Sequence, residues 1–161
     1  AAAAATLEGG TYATLRLTAG MYHRFHAPQD GSVGAVGHIA GDAWNVNPAA
    51  LARIPRLYCR NERAILRFQL DARDQAVTLV AVAAVLVSGI RIHGIDLPAD
   101  RDHRETWRIA CDLPRAKGEE LGWFEHGSTI VVLAPRGLEL DPSLRPGATI
   151  RMGQALMRLA D

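Results

Sequence analysis

Hydrophobic and polar residues alternate along much of the chain with the period of two that is typical of half-buried β-strands. Thr11 to Leu17 is the clearest alternating segment and is rich in Thr and Leu. The run from Val77 to Ile92 is instead apolar and β-branched, which predicts one long or two short buried strands, broken near Ser88-Gly89. Further strands are predicted over residues 33–36, 64–70, 107–111, 121–124 and 129–133.

Turn signals separate these strands. Polar turns are predicted at residues 29–32 and 71–74, and the charged segment 94–105, which contains Pro and Gly, predicts an exposed loop. Two segments punctuated by glycine, residues 27–33 and 146–156, resemble the edges of barrel-sandwich domains. In such edges the glycines allow tight turns between short strands that cross at a corner.

One helix is well signalled. Asn47 can cap its first turn, Pro48 suits the first helical position, and Pro55 ends it, so a helix is predicted over residues 47–53. The chain is therefore predicted to be mainly β, with antiparallel sheets in a sandwich or barrel-like arrangement and one or two short helices.

Composition and charge exclude several classes of function. The formal net charge is +1, which gives no electrostatic case for binding nucleic acid. Lys117 is the only lysine and lies outside the usual carrier context, which argues against a pyridoxal enzyme and against a biotin or lipoyl carrier. The longest apolar run, residues 76–90, is shorter than a membrane span, and no signal peptide is visible. We expect a single domain over residues 6–161, with the run Ala1–Ala5 set aside.

Two histidines, His23 and His26, lie three residues apart just before a predicted turn. Two imidazoles this close suit proton transfer near neutral pH. They also fit two polar residues at a strand end, or two ligands of a metal ion, although the third ligand of a metal site is not evident. Spacing alone leaves these three interpretations open.

The tripeptide Gly127-Ser128-Thr129 stands just before an apolar strand. A glycine before a serine lets the backbone bend so that the hydroxyl of Ser128 can reach the preceding carbonyl. Attack there moves the acyl group from nitrogen to oxygen, and elimination of the resulting ester cuts the chain and leaves an amino-terminal pyruvoyl group. This chemistry needs a base and an oxyanion donor. By itself the tripeptide also fits an ordinary turn.

Two other segments carry less information. Asn61-Glu62-Arg63 lies at the start of a predicted strand and could be a surface turn with an ordinary salt bridge, which contributes little to stability, so alone it indicates no function. The apolar and basic segment 51–58 could contact lipid, or it could pack as a helix and loop.

Six blocks of residues resemble, in their order, the phosphatidylserine decarboxylase family, and the resemblance runs from about residue 9 to residue 159. The blocks are Tyr22-His23-Arg24-Phe25-His26-Ala27-Pro28-Gln29-Asp30-Gly31, Trp44-Asn45-Val46-Asn47-Pro48, Arg60-Asn61-Glu62-Arg63, Lys117-Gly118-Glu119-Glu120-Leu121-Gly122-Trp123-Phe124, Gly127-Ser128-Thr129 and Arg151-Met152-Gly153-Gln154. Six ordered blocks are far more specific than any one of them.

The resemblance implies a self-processing enzyme that makes its pyruvoyl cofactor from its own serine. Ser128 matches the precursor of the pyruvoyl group, with cleavage between Gly127 and Ser128. His26 matches the histidine that acts as base in self-cleavage, and His23 matches the histidine that protonates the product after carbon dioxide leaves. The pyruvoyl carbonyl supplies the electron sink for decarboxylation, and no metal is implied.

The resemblance also implies partners and a location. The substrate is phosphatidylserine, the product is phosphatidylethanolamine, and the enzyme contacts the cytoplasmic side of a membrane peripherally. Processing leaves an α and a β fragment, and a homodimer is compatible with the family. Two alternatives stay open: a family member that decarboxylates another amino acid substrate, and an unprocessed, catalytically silent homologue that binds lipid or a protein.

The chain departs from the family pattern in three places. The family orients its base with an Asp upstream of the histidine block. We expect either that the amino-terminal part of the domain that carries this Asp is missing here, or that this member lacks the orienting carboxylate. His126 stands before Gly127, where members often have an apolar residue. The chain runs without a break through Gly127 and Ser128, which is expected of an unprocessed proenzyme, of a blocked variant, or of two processed fragments written as one sequence.

Overall fold

The computed structural model of the chain describes residues 2–84, 89–95, 105–125 and 127–160. In this part of the chain the strands are β1 (Thr11–Leu17), β2 (Arg24–His26), β3 (Gly31–Ile39), β4 (Arg63–Leu70), β5 (Gln75–Val82), β6 (Ile90–Ile92), β7 (Trp107–Arg115), β8 (Glu120–Phe124), β9 (Ser128–Ala134), β10 (Leu138–Leu140) and β11 (Met157–Leu159). The helical segments are α1 (Ala2–Ala5), α2 (Pro48–Arg53) and α3 (Leu57–Arg60). The prediction of a mainly β chain with short helices is confirmed.

Six strands form the main sheet, in the order β1-β9-β5-β4-β3-β7, and every neighbouring pair is antiparallel. Strand β4 shows why the alternating pattern folds this way. Its burial alternates along all eight residues, and Ala64, Leu66, Phe68 and Leu70 are the buried positions. Because successive side chains of a strand point to opposite faces, this alternation directs one face of the sheet to the core.

A smaller antiparallel sheet, β2-β8-β6, covers the inner face of the main sheet. Its residues Phe25, Leu121 and Phe124 lie in the same buried cluster as Leu66 and Phe68 of the main sheet. The two sheets therefore share one core, as in a sandwich, and the main sheet stays open at its edge strands β1 and β7 instead of closing into a barrel. A two-stranded hairpin of β10 and β11 completes the described fold.

The predicted helix at residues 47–53 is confirmed as α2. The side chain of Asn47 accepts a hydrogen bond of 2.8 Å from the backbone N–H of Ala50, as expected of an N-cap, and Pro48 occupies the first helical position. None of the helices in the described part of the chain has the length and apolar character that crossing a bilayer requires.

The segment 51–58 packs against the protein. Leu57 is buried, and Leu51, Ile54 and Tyr58 are partly buried against the small cluster that it forms with Val46 and Ala84. The helix-and-loop interpretation of this segment agrees with these contacts.

Strand boundaries and the carboxyl-terminal segment differ from the predictions. Strand β7 continues through Pro114 to Arg115 instead of ending at residue 111, and it tolerates the proline because it is an edge strand. Residues 146–156 contain turns at Gly147 and Gly153, each with a φ of 84°, and the next strand begins only at residue 157. The glycines therefore make turns here, as expected, but not between short crossing strands.

Three predicted features fall partly or wholly outside the described residues. They are the strand break near Ser88-Gly89, most of the loop over 94–105, and His126. The described parts on either side of the break are two separate strands, β5 and β6, which agrees with the prediction of two short buried strands in this run.

Candidate functional site

The Gly127–Ser128 peptide lies at the start of β9, in the middle of the main sheet's β1-β9-β5 portion. Ser128 stands opposite Leu17, the last residue of β1, and is only 3% exposed. Its hydroxyl donates a hydrogen bond to the backbone carbonyl of Val82, the last residue of β5. Neighbouring strands therefore hold Ser128 from both sides.

Gly127 is required by the close approach of another backbone segment. A Cβ placed on this residue would lie 2.6 Å from the carbonyl oxygen of Leu17, 2.7 Å from the nitrogen of Ala19 and 2.9 Å from the carbonyl carbon of Thr18. All three are backbone atoms, which cannot move aside as the end of a flexible side chain can. The predicted role of Gly127, to let the backbone bend before Ser128, therefore has a second reason in the tertiary structure.

His23 is bonded to the same backbone segment. Its Nε2 donates a hydrogen bond of 2.8 Å to the carbonyl oxygen of Thr18, since a carbonyl can only accept. Its own carbonyl accepts from the N–H of Phe124 at 2.9 Å. Gly127 and His23 thus both contact Thr18, so the structure brings His23 close to the Gly127–Ser128 peptide.

His26 lies at the opposite end of β8. It pairs with Glu120, and the four residue steps from there to Phe124 span about 13 Å of strand. Its Nδ1 donates to the carbonyl of Gly118 at 2.7 Å, and in the neutral ring its Nε2 accepts from the hydroxyl of Tyr22, also at 2.7 Å. The two bonds fix the orientation of the imidazole.

The geometry separates the two predicted histidines from each other. They donate to different carbonyls, those of Thr18 and Gly118, so they do not share a ligand position in this arrangement. The hydroxyl of Ser128 is bonded to Val82 rather than to His26, and the base role of His26 stays a prediction.

Thr129 is a second buried hydroxyl beside Ser128. It is 0% exposed, and its Oγ1 has no hydrogen-bond partner among the described residues. A buried hydroxyl without a partner costs about 1–3 kcal/mol. The amino-terminal end of β9 therefore holds a serine shielded from water, which fits a pyruvoyl group made from its own atoms, whereas the next side chain, Thr129, points to the opposite face of the strand.

Asn61 is a residue of this site whose importance does not follow from its local sequence. The prediction that Asn61-Glu62-Arg63 forms a surface turn is wrong, because Asn61 is 0% exposed and Glu62 is 9% exposed. The Nδ2 of Asn61 donates to the carbonyls of Ala83 and Trp44, each at 2.7 Å, and its Oδ1 accepts from the N–H of Trp44 at 3.0 Å. The only sequence signal was that Trp44 and Asn61 belong to two of the six matching blocks.

Glu62 forms a buried pair with His38. The carboxylate Oε1 lies 3.0 Å from Nε2 of His38, and Nδ1 of the same ring donates to the carbonyl of Glu105 at 2.8 Å. Trp107 stacks on the imidazole with ring centroids 5.5 Å apart. The hydrogen bond to Glu62 raises the pKa of His38 above its ordinary 6.5, and this effect outweighs the opposite effect of burial.

An exposed polar cluster lies along the smaller sheet. Glu120 accepts hydrogen bonds of 2.7 Å from Arg24 and 2.8 Å from His93. These two donors, Arg24 first, lower the pKa of the Glu120 carboxyl. The ring of Trp123 lies beside His93, with centroids 5.1 Å apart, so the cluster has an aromatic side as well as a charged one.

Comparison with known proteins identifies the family of this chain. The family model described as phosphatidylserine decarboxylase matches residues 1–158. The chain belongs to the phosphatidylserine decarboxylase family.

Several curated relatives are similar over nearly the whole chain, and each is named phosphatidylserine decarboxylase proenzyme. The relative from Nitrosospira multiformis is 38% identical over 95% of this chain and 55% of its own length. The relative from Albidiferax ferrireducens is 40% identical over 98% of this chain and 56% of its own length. The relative from Chromobacterium violaceum is 37% identical, with coverage of 95% and 56%. The chain thus spans about half the length of the curated relatives that it matches.

Proposed function

We propose that the protein containing this chain is a pyruvoyl-dependent decarboxylase, a carboxy-lyase that cuts itself between Gly127 and Ser128 and then converts phosphatidylserine to phosphatidylethanolamine. The observation that carries the proposal is the Gly127–Ser128 junction. In a chain of this family, a serine hydroxyl is buried at a strand start, directly after a glycine with no space for a side chain.

Self-cleavage starts from the hydroxyl of Ser128. When its proton passes to a base, Oγ attacks the carbonyl carbon of Gly127, the C–N bond breaks, and the freed amine of Ser128 takes up a proton. Loss of the Cα proton of Ser128 then expels the Gly127 carboxylate and cuts the chain. Water replaces the nitrogen, which leaves as ammonia, and a pyruvoyl group remains. When present, this group supplies the electron sink that decarboxylation needs.

The two fragments are expected to stay together after the cut. The fragment that begins at residue 128 contributes β9 to the main sheet, between β1 and β5 of the other fragment. Twelve residue pairs, seven with β1 and five with β5, join β9 to these neighbours. Cleavage at the first residue of β9 removes none of the strand, so the α and β fragments remain one fold.

The substrate and its location belong to the same proposal. Phosphatidylserine is a membrane lipid, so we propose peripheral contact with the cytoplasmic side of a membrane. A homodimer is compatible with this arrangement. The support for a phospholipid substrate is family membership.

The natural full-length protein tests the proposed function. Denaturing electrophoresis is expected to give two fragments, and intact mass is expected to show the smaller one beginning with a pyruvoyl group at position 128. Product analysis with phosphatidylserine and with free serine separates the lipid enzyme from a family member with another substrate. A single uncut band without decarboxylation would contradict the proposal and favour a silent lipid- or protein-binding homologue.

The two histidines are proposed to act in different steps. His26 serves as base in self-cleavage, and His23 protonates the product of decarboxylation. The lone pair of His26 Nε2 is bonded to Tyr22 in the described arrangement, so reaching Ser128 requires segment 18–26 to repack. His23 is already close to the junction through Thr18.

Alanine variants are expected to separate these roles. His26→Ala should slow self-cleavage by about 100-fold or more, since general acid–base catalysis contributes about 10²–10⁴-fold. His23→Ala should cut at nearly the normal rate, but the processed protein should lose a similar factor in kcat. Time courses of fragment appearance, followed by assays of purified cut protein, measure the two effects. Equal loss of cleavage in both variants would contradict the division of roles.

A further inference from the structure

We propose that Asn61 is a positioning residue for self-cleavage, because it fixes the backbone segment that holds the hydroxyl of Ser128. This inference rests on the proposed function. Asn61 does not touch the reacting atoms, so its effect passes through residues Val82 and Ala83.

The hydroxyl of Ser128 is held by a backbone acceptor. The hydroxyl of Ser128 donates to the carbonyl of Val82, and no hydrogen bond to another side chain is found among the described residues. The position of this carbonyl therefore decides where Oγ rests before it turns to the Gly127 carbonyl. Val82 is the last residue of β5, so the hydrogen bonds of the strand pairing hold the residues before it but not the residues after it.

The end of β5 is held by contacts beyond the strand itself. The next residue, Ala83, lies beyond the strand and is 0% exposed. Its N–H donates to the carbonyl of Glu62 at 2.8 Å, and its carbonyl accepts from Nδ2 of Asn61 at 2.7 Å. Both backbone groups of Ala83 are therefore held by the Asn61–Glu62 segment.

Asn61 is itself held in place by its neighbours. Its side chain is fully buried and makes two further bonds, to the N–H and the carbonyl of Trp44. An amide group is suited to this task because it donates and accepts at once. Asn61 thus joins two backbone segments, at Trp44 and at Ala83, and neither can shift without breaking a buried hydrogen bond.

Loss of the Asn61 side chain would change the geometry around Ser128 as well as the stability of the fold. A displacement of about 1 Å from the reactive geometry can cost roughly 100-fold in rate. Replacing Asn61 by alanine leaves the Ala83 carbonyl without its donor and frees the end of β5. The expected result is self-cleavage slowed by roughly 10- to 100-fold.

The experiment compares Asn61→Ala with Leu66→Ala in the natural full-length protein. Leu66 is a 0% exposed core residue of β4, the strand that begins shortly after Asn61. It lies away from Ala83, so its variant controls for lost stability. Self-cleavage is timed at a temperature where both variants are folded by circular dichroism. We expect Asn61→Ala to cut at least tenfold more slowly than Leu66→Ala.

Hydroxylamine identifies the affected step. It cleaves the ester that forms when Oγ takes the acyl group, so it reports the first step without the later elimination. In Asn61→Ala the hydroxylamine-dependent cut should slow as much as the spontaneous one. A hydroxylamine cut at the Leu66→Ala rate would overturn the positioning role, because a purely structural defect would affect both variants alike.

A second variant keeps the proposal testable if Asn61→Ala does not fold. In Asn61→Asp the neutral carboxyl can donate to the Ala83 carbonyl, whereas the carboxylate cannot. Its cleavage rate relative to the natural protein should therefore rise as pH falls, and a ratio that stays constant while carbon-13 NMR shows this carboxyl ionising would overturn the proposal. If the natural protein cuts and both Asn61 variants match the control, only this inference fails. If the natural protein itself never cuts, the proposed function fails and the inference with it.

Discussion

Ser128→Ala is expected to remain a single uncut chain and to show no decarboxylation above background. Alanine has no hydroxyl to attack the Gly127 carbonyl, so neither the cut nor the pyruvoyl group can form. The fold should survive, because the variant loses one hydrogen bond, to Val82, which contributes about 1 kcal/mol. Electrophoresis and product analysis measure the two losses.

Ser143→Ala is the matched control for this change. Ser143 is exposed and donates its hydroxyl to Asp141, far along the chain from the junction. We expect this variant to cut and to decarboxylate normally. Cleavage of Ser128→Ala at position 127 would refute Ser128 as the nucleophile, whatever the activity of the cut protein.

His38→Leu is expected to have the largest effect on stability. The substitution leaves the buried Glu62 carboxylate without its partner and the Glu105 carbonyl without its donor. Below a pH of about 6.5, where His38 is protonated and pairs with this carboxylate, removing one member of a buried ion pair typically costs about 3–5 kcal/mol. Urea unfolding followed by tryptophan fluorescence measures this loss, and Trp107, which stacks on His38, provides a local signal.

The double variant His38→Leu/Glu62→Met measures the interaction between the two residues apart from their contacts with the rest of the protein. Because both polar partners are then replaced by apolar side chains, the double variant should recover part of the stability that the single variant loses. A double variant less stable than His38→Leu by the full additive amount would show that the two residues do not interact.

The same pair predicts how stability depends on pH. The pKa of His38 is raised in the folded protein, chiefly by Glu62, so the folded state binds its proton more tightly than the unfolded state. The stabilisation is fully present below the unfolded value of about 6.5 and is lost as pH rises through the folded pKa. The free energy of unfolding should therefore fall as pH rises above about 6.5, and this fall should be absent in His38→Leu.

Local pattern predicted the fold class and most of its elements. The alternation over Thr11–Leu17 and the apolar residues of β4 became strands because a period of two has one face to bury. The cap at Asn47 and Pro48 defined α2 because capping involves only near neighbours in the chain. The order of strands did not follow from these patterns, since pairing such as β1 with β9 joins residues more than a hundred positions apart.

For the candidate site, too, some features followed from the sequence and others only from the tertiary structure. The sequence by itself determined the family, through six ordered blocks, and with it the candidate residues Ser128, His23 and His26. Only the tertiary structure decided that Gly127 faces the backbone at Thr18 and that Asn61 holds the end of β5. The physical reason is that close approach and burial depend on which distant segments pack together, and a polar residue between charged neighbours gives no local sign that it will be enclosed.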